Sequence, residues 1–166
     1  MTGKFTVNGT VYFADDKGVI EKGWVTDGND RYYILANTGL PAKGKTEIDG
    51  EWYNFDPITG IEKRGWNKLP DGYWYHFDKA TGKMERNGWF LYNGYNYYAN
   101  SDGHNNKGFA TIDTELYYFS PDSAYAMTGK FTVNGTVYFA DDKGIIGKGW
   151  VTDGNNRYYI LADTGL

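Results

Sequence analysis

Few side chains in this sequence suit covalent chemistry, and many suit holding a ligand against a ring. Cys is absent, which removes thiol nucleophiles, thiolate metal sites and disulfides. The two histidines, His76 and His104, fall in no metal-spacing motif. Most acids sit in turn-like stretches, where a carboxylate caps nearby backbone donors. Asp15-Asp16 and Asp141-Asp142 lack the alternating oxygen ligands of a calcium loop. No catalytic residue, metal site or cofactor is therefore expected. The rings are the better lead: aromatics make up 19% of the chain, with 16 Tyr, 9 Phe and 6 Trp. Trp24, Trp66, Trp89 and Trp150 each follow a glycine. Trp66 at the start of a strand, Trp74 on its return and Trp89 from the following repeat are expected to converge. Two ligands suit such rings. A quaternary ammonium gains about 0.5–2 kcal/mol per cation–π contact. A sugar stacks an apolar face on Trp or Tyr while Asn, Asp, Arg or His takes its hydroxyls. The competing role for each ring is core, since aliphatic residues are few.

The elements that carry these residues follow from an internal repeat. Residues 127–166 repeat residues 1–40 with 36 of 40 positions identical, at an offset of 126 residues. A shorter repeat of 20–23 residues lies inside it, with units at 3–22, 23–43, 44–64, 65–87, 88–107, 108–128, 129–148 and 149–166. Every unit has a Tyr in one column: Tyr12, Tyr32, Tyr53, Tyr75, Tyr97, Tyr117, Tyr138 and Tyr158. In seven units an Asn-Gly or Asp-Gly pair precedes that Tyr, a strong signal for a tight hairpin turn. Each unit thus reads as strand, turn, strand and a Gly-containing connection. A lone hairpin is marginal in water, so stacking is required. The fold expected is all-β, a β-solenoid of about eight stacked hairpins forming one array over 1–166, cut from a longer protein. Unit six departs twice, at Asp113-Thr114 and at Pro121-Asp122-Ser123-Ala124, where the array bends or a site is missing.

Strand alternation sorts the side chains by face. The Tyr column shares its face with Ala14, Ile34, Phe55, Phe77, Ala99, Phe119, Ala140 and Ile160, all apolar, so that face is expected to pack. The other face varies from unit to unit, as a ligand face does. Its candidate binding residues are Trp24, Arg31, Tyr33, Trp66, Trp74, His76, Trp89, Tyr98, Trp150, Arg157 and Tyr159.

Charge and hydropathy exclude other classes. A net charge of −4 is the wrong sign for nucleic-acid binding, which needs a basic stripe. No apolar run reaches the roughly 18–20 residues that span a bilayer, so no membrane insertion is expected. No signal-peptide core is visible at the amino terminus.

Gly65-Trp66, Asp71-Gly72-Tyr73-Trp74-Tyr75-His76-Phe77-Asp78, Gly82-Lys83-Met84 and Gly88-Trp89 resemble the cell-wall/choline-binding repeat family. Val-Asn-Gly-x-x-Tyr-Phe followed by Gly-Trp-Val-Thr-Asp-Gly-x-x-Arg-Tyr-Tyr is also similar to the glucan-binding repeats of secreted glucansucrases. The repeats of large clostridial toxins are more distant. The resemblance implies a non-catalytic attachment module of a secreted or surface-exposed bacterial protein, with ligands between successive hairpins. A choline cage carried over from the family is matched in full only by Trp66, Trp74 and Trp89. Arg31 and Arg157 stand in the column of Trp74, and Lys4, Lys45 and Lys130 in that of Trp66. A cation repels choline but donates to a sugar, so a glucan-like polysaccharide ranks first as partner. A choline-decorated cell-wall polymer ranks second and a spacer or host-interaction rod third. Exposed terminal hairpins add end-to-end self-association as an expectation.

Overall fold

The computed structural model describes residues 1–160; the final stretch of the eighth unit, 161–166, lies outside the described residues. The chain divides into two compact units, Met1–Glu85 and Arg86–Leu166. Unit one holds hairpins Gly3–Val7/Thr10–Ala14, Gly23–Asp27/Asp30–Ile34, Gly44–Ile48/Glu51–Phe55 and Gly65–Lys68/Trp74–Phe77. Unit two holds Gly88–Tyr92/Tyr95–Ala99, Gly108–Ile112/Glu115–Phe119, Gly129–Val133/Thr136–Ala140 and Gly149–Asp153/Asn156–Ile160. Every pair is antiparallel and two-stranded, and no helix occurs among the described residues. Each first strand opens on the glycine that opens its repeat.

The turns explain the register. In the first hairpin Asn8 and Gly9 both take positive φ, 49° and 78°, the backbone twist that suits a two-residue hairpin. Unit six does the same without glycine: Asp113 and Thr114 have φ of 50° and 77°. Ile112 still faces Glu115, and Gly108 still faces Phe119. Its second departure is equally well absorbed. The Ala124 amide donates to the Ser120 carbonyl at 2.8 Å, as Gly60 does to Asp56 and Gly82 to Asp78. Ala124 reaches this with a φ of 61°. Neither departure interrupts the hairpin.

What the sequence did not show is how hairpins are tied. After each of the first seven hairpins the chain returns through a one-residue antiparallel bridge, such as Ile34 with Pro41 and Phe55 with Glu62. The returning residue then reaches the preceding hairpin. The amides of Glu62 and Met84 donate to the carbonyls of Arg31 and Trp52 at 2.8 and 2.7 Å. In unit two those of Ala126 and Ile146 donate to Asn96 and Leu116, both at 2.8 Å. Within each unit these bonds stack the hairpins into an all-β repeat solenoid.

Most of the expected packed face is buried; Tyr12, Ala140 and Tyr158 are half-buried. Ile34, Phe55, Phe77, Ala99 and Phe119 are fully enclosed, and Tyr32, Tyr53, Tyr75, Tyr97, Tyr117 and Tyr138 are buried beside them. The opposite face is not the open surface its variability suggested: Phe13, Asn54, His76 and Phe139 on that face are buried too. The reason is stacking. Phe13 lies 4.7 Å from the Tyr32 ring of the next hairpin, and Phe139 lies 4.9 Å from Tyr158. The outer face of one hairpin meets the Tyr face of the next.

Candidate ligand-binding site between stacked hairpins

Each inter-hairpin groove within a unit is organised by one residue, the one after the opening glycine. It faces a partner across its own hairpin: Trp24 faces Tyr33, Trp89 faces Tyr98 and Phe109 faces Tyr118. It also reaches the column Tyr of the next hairpin. Trp24 meets Tyr53 at 4.9 Å, Trp89 meets Tyr117 at 4.9 Å and Phe109 meets Tyr138 at 5.0 Å between ring centres. Where the residue is lysine, an ammonium does the same: Lys4 lies 5.1 Å from the Tyr32 ring, Lys45 4.9 Å from Tyr75 and Lys130 5.7 Å from Tyr158. A ring and a cation are thus alternative occupants of one position, because both are attracted to the Tyr face.

The lysines are held as well as placed. Lys4 Nζ donates to the Tyr32 hydroxyl at 3.0 Å and to Asp27 at 3.1 Å, and those bonds raise its pKa. Lys130 donates to Asp153 at 2.6 Å, the equivalent partner in the duplicated segment, with the same effect. Lys45 bridges Trp52 at 5.0 Å and Tyr75 at 4.9 Å.

The arginines in the column of Trp74 lie on rings. Arg31 Cζ is 3.6 Å from the centre of the Trp24 ring, and Arg157 Cζ is 4.1 Å from that of Trp150. Arg31 also meets Glu62, whose side chain is 1% exposed, at 3.4 Å. Arg64 closes the other side of that carboxylate through Nε at 2.9 Å and Nη2 at 2.7 Å. A buried carboxylate between two guanidiniums is neutralised where a lone one would be costly. Thr26, Asn29, Asp30, Arg31, Ile61, Glu62 and Arg64 line a cleft of about 420 Å³ beside it.

The remaining candidates fall into three groups. Trp66 stands opposite His76, with ring centres 5.0 Å apart, and Trp74 stands opposite Lys68 on the same face. His76 is 3% exposed, and burial lowers its pKa. Trp74 is exposed. Trp89 belongs to the second unit, where it is 40% exposed over Tyr98, Tyr117 and Phe119. Trp150 and Tyr159 pair at 5.1 Å and are both exposed. The sequence reading missed Tyr53, Tyr117, Phe119 and Tyr138 as groove walls. Their face was visible, but alternation assigned it wholly to the core.

Residues 22–39, 65–84, 87–104 and 148–163 match the family of putative cell wall binding repeats. These four stretches are similar to cell wall binding repeats. These repeats have relatives of known structure. Choline binding protein F from Streptococcus pneumoniae is 27% identical, with a TM-score of 0.82 over 98% of this chain and 56% of that one. CbpJ from the same organism, at 24% identity, shares the fold with a TM-score of 0.84 over 99% of this chain and 64% of that one. Toxin A of Clostridium novyi is 31% identical over 133 residues, which is 76% of this chain and 5% of the toxin. The chain therefore spans 5% of the curated relative's length and 56–64% of these solved chains. The expected resemblance to choline-binding repeats, and the more distant one to clostridial toxins, is borne out.

Proposed function

We propose that this repeat module is a non-catalytic anchor that holds a secreted or surface-exposed bacterial protein to a choline-bearing cell-wall polymer. The observation that carries this reading is the Trp89 cluster. Trp89 and Tyr98 meet edge to face at 5.3 Å, and Tyr117 closes a second side at 4.9 Å. Three adjoining rings, with the indole partly exposed, suit a cation that hydrogen bonds cannot hold. The cell wall binding repeats support the same ligand class. So does choline binding protein F, which has also been solved in the presence of a peptidoglycan analogue, a tetrasaccharide-pentapeptide.

This reverses the order the sequence suggested. Glucan ranked first there because lysines and arginines beside a choline site looked repulsive. In the fold those cations are engaged by rings and acids of the chain itself, so they argue for no sugar. Neither the two units nor the relatives support glucan binding or end-to-end self-association. In a thermal melt, choline at 100 times its Kd should stabilise the wild type by about 2.7 kcal/mol. Trp89→Ala should lose that response, and a wild-type melting temperature unmoved by choline would refute the reading.

A further inference from the structure

Two ring clusters in this chain are near-copies, and they differ in one occupant. Trp24 meets Tyr33 at 5.2 Å and 73°, Tyr53 at 4.9 Å and 69°, and Phe55 at 6.0 Å and 38°. Trp89 meets Tyr98 at 5.3 Å and 75°, Tyr117 at 4.9 Å and 56°, and Phe119 at 5.8 Å and 28°. In the first cluster the Arg31 guanidinium lies 3.6 Å from the Trp24 ring centre. Arg31 faces Thr26 across its hairpin, and the residue in that register position of the second cluster, facing Leu91, is Asn96. Among the described residues no cation lies over Trp89.

We propose that Arg31 is an intramolecular ligand of the Trp24 cluster, filling it and keeping an external organic cation out, so that one register position decides which cluster is open. At 3.6 Å the guanidinium is in van der Waals contact with the ring, leaving no layer for a second cation. It is also held from behind by the buried Glu62, which Arg64 shares. An arriving ammonium would have to displace Arg31 and strip Glu62 of one partner, or sit against a like charge. Asn96 is uncharged and imposes neither barrier. Lys4, Lys45 and Lys130 extend the device to three more grooves, where the chain supplies the cation in place of the ring. Open clusters for a cationic ligand are thereby fewer than the repeats. The proposal rests on the reading of these clusters as cation sites, and its test separates the two.

The test follows the indole N–H signals of the ¹⁵N-labelled chain, assigned by single Trp→Phe variants, during titration with tetramethylammonium chloride against sodium chloride. In the wild type the Trp89 signal should move and saturate while Trp24 stays still. In Arg31→Asn, Trp24 should gain a saturable response within about tenfold of the Trp89 affinity. In Asn96→Arg, Trp89 should lose its response. A silent Trp24 in folded Arg31→Asn overturns the proposal, whatever Trp89 does. An undiminished Trp89 response in Asn96→Arg overturns it independently, should the first variant not fold. A responsive Trp24 in Arg31→Asn beside a silent wild-type Trp89 would sustain the exclusion by Arg31 and refute the Trp89 site instead.

Discussion

The Trp89 indole and the Tyr117 phenol come from successive hairpins and meet with ring centres 4.9 Å apart. Trp89 follows an opening glycine, and Tyr117 belongs to the face that alternation assigns to the core. The groove between hairpins is therefore walled by the outer face of one repeat and the packed face of the next. Within each unit, one residue per groove, ring or lysine, bridges the two.

That bridging can be measured where lysine does it. Lys45 lies about equally far from the Trp52 and Tyr75 rings. Lys45→Gln keeps length and polarity and removes the charge. It should lower stability by about 0.5–1 kcal/mol, the range for an exposed cation–π contact. Chemical denaturation checks this; an unchanged midpoint would mean the ammonium is only near the rings.

Thr114 is a β-branched residue held at a φ of 77°, where Cβ crowds the backbone. Thr114→Gly restores the Asp-Gly pair of the other repeats and should raise stability by about 1 kcal/mol. A melting temperature that rises by several degrees would agree, and one that falls would contradict the turn geometry.

Gly82 and Gly72 both have positive φ, 78° and 88°, but different surroundings. A Cβ on Gly82 would collide with the Glu62 carboxylate, while one on Gly72 would meet nothing within 4 Å. Gly72→Ala should cost about 1–2 kcal/mol from backbone strain alone. Gly82→Ala should cost about 3 kcal/mol or more, because it also displaces the carboxylate from Arg31 and Arg64. Equal costs would argue against the buried ion cluster.

His76 is buried, and burial lowers its pKa from the ordinary 6.5 despite the opposing charge of Asp78; Lys79 lowers it further. Below 6.5 the unfolded chain binds the proton before the folded one does. Stability should therefore fall as pH drops through 6.5 toward the folded value, and stay flat from this source above 6.5. His76→Gln should lose that slope when melts at pH 5 to 7.5 are compared. Parallel curves would place His76 in solvent.

Most of the architecture is legible in the sequence for a physical reason. Asn-Gly and Asp-Gly pairs tolerate positive φ, and the Tyr column with its apolar neighbour marks a packed face, so turns, strands and core follow locally. The ties between hairpins are not legible. The amide of Glu62 bonding to Arg31 is a contact between residues of different repeats that no side-chain pattern encodes. The site is partly legible for the same reason. Trp24, Trp89 and Trp150 stand out by type and position. Arg31 lies on Trp24 and also meets Glu62, a partner it shares with Arg64 and gains only through stacking. Read as a sequence, Arg31 is a charge beside an aromatic column; in the fold its guanidinium lies on the Trp24 ring.

The most direct test of anchoring is co-sedimentation with choline-bearing cell walls, with and without free choline as competitor. The wild type should be retained on the walls and released by choline, and Trp89→Ala should be retained at least tenfold less. Retention that choline does not reduce would contradict choline-type anchoring, and absence of retention would contradict attachment to such walls altogether.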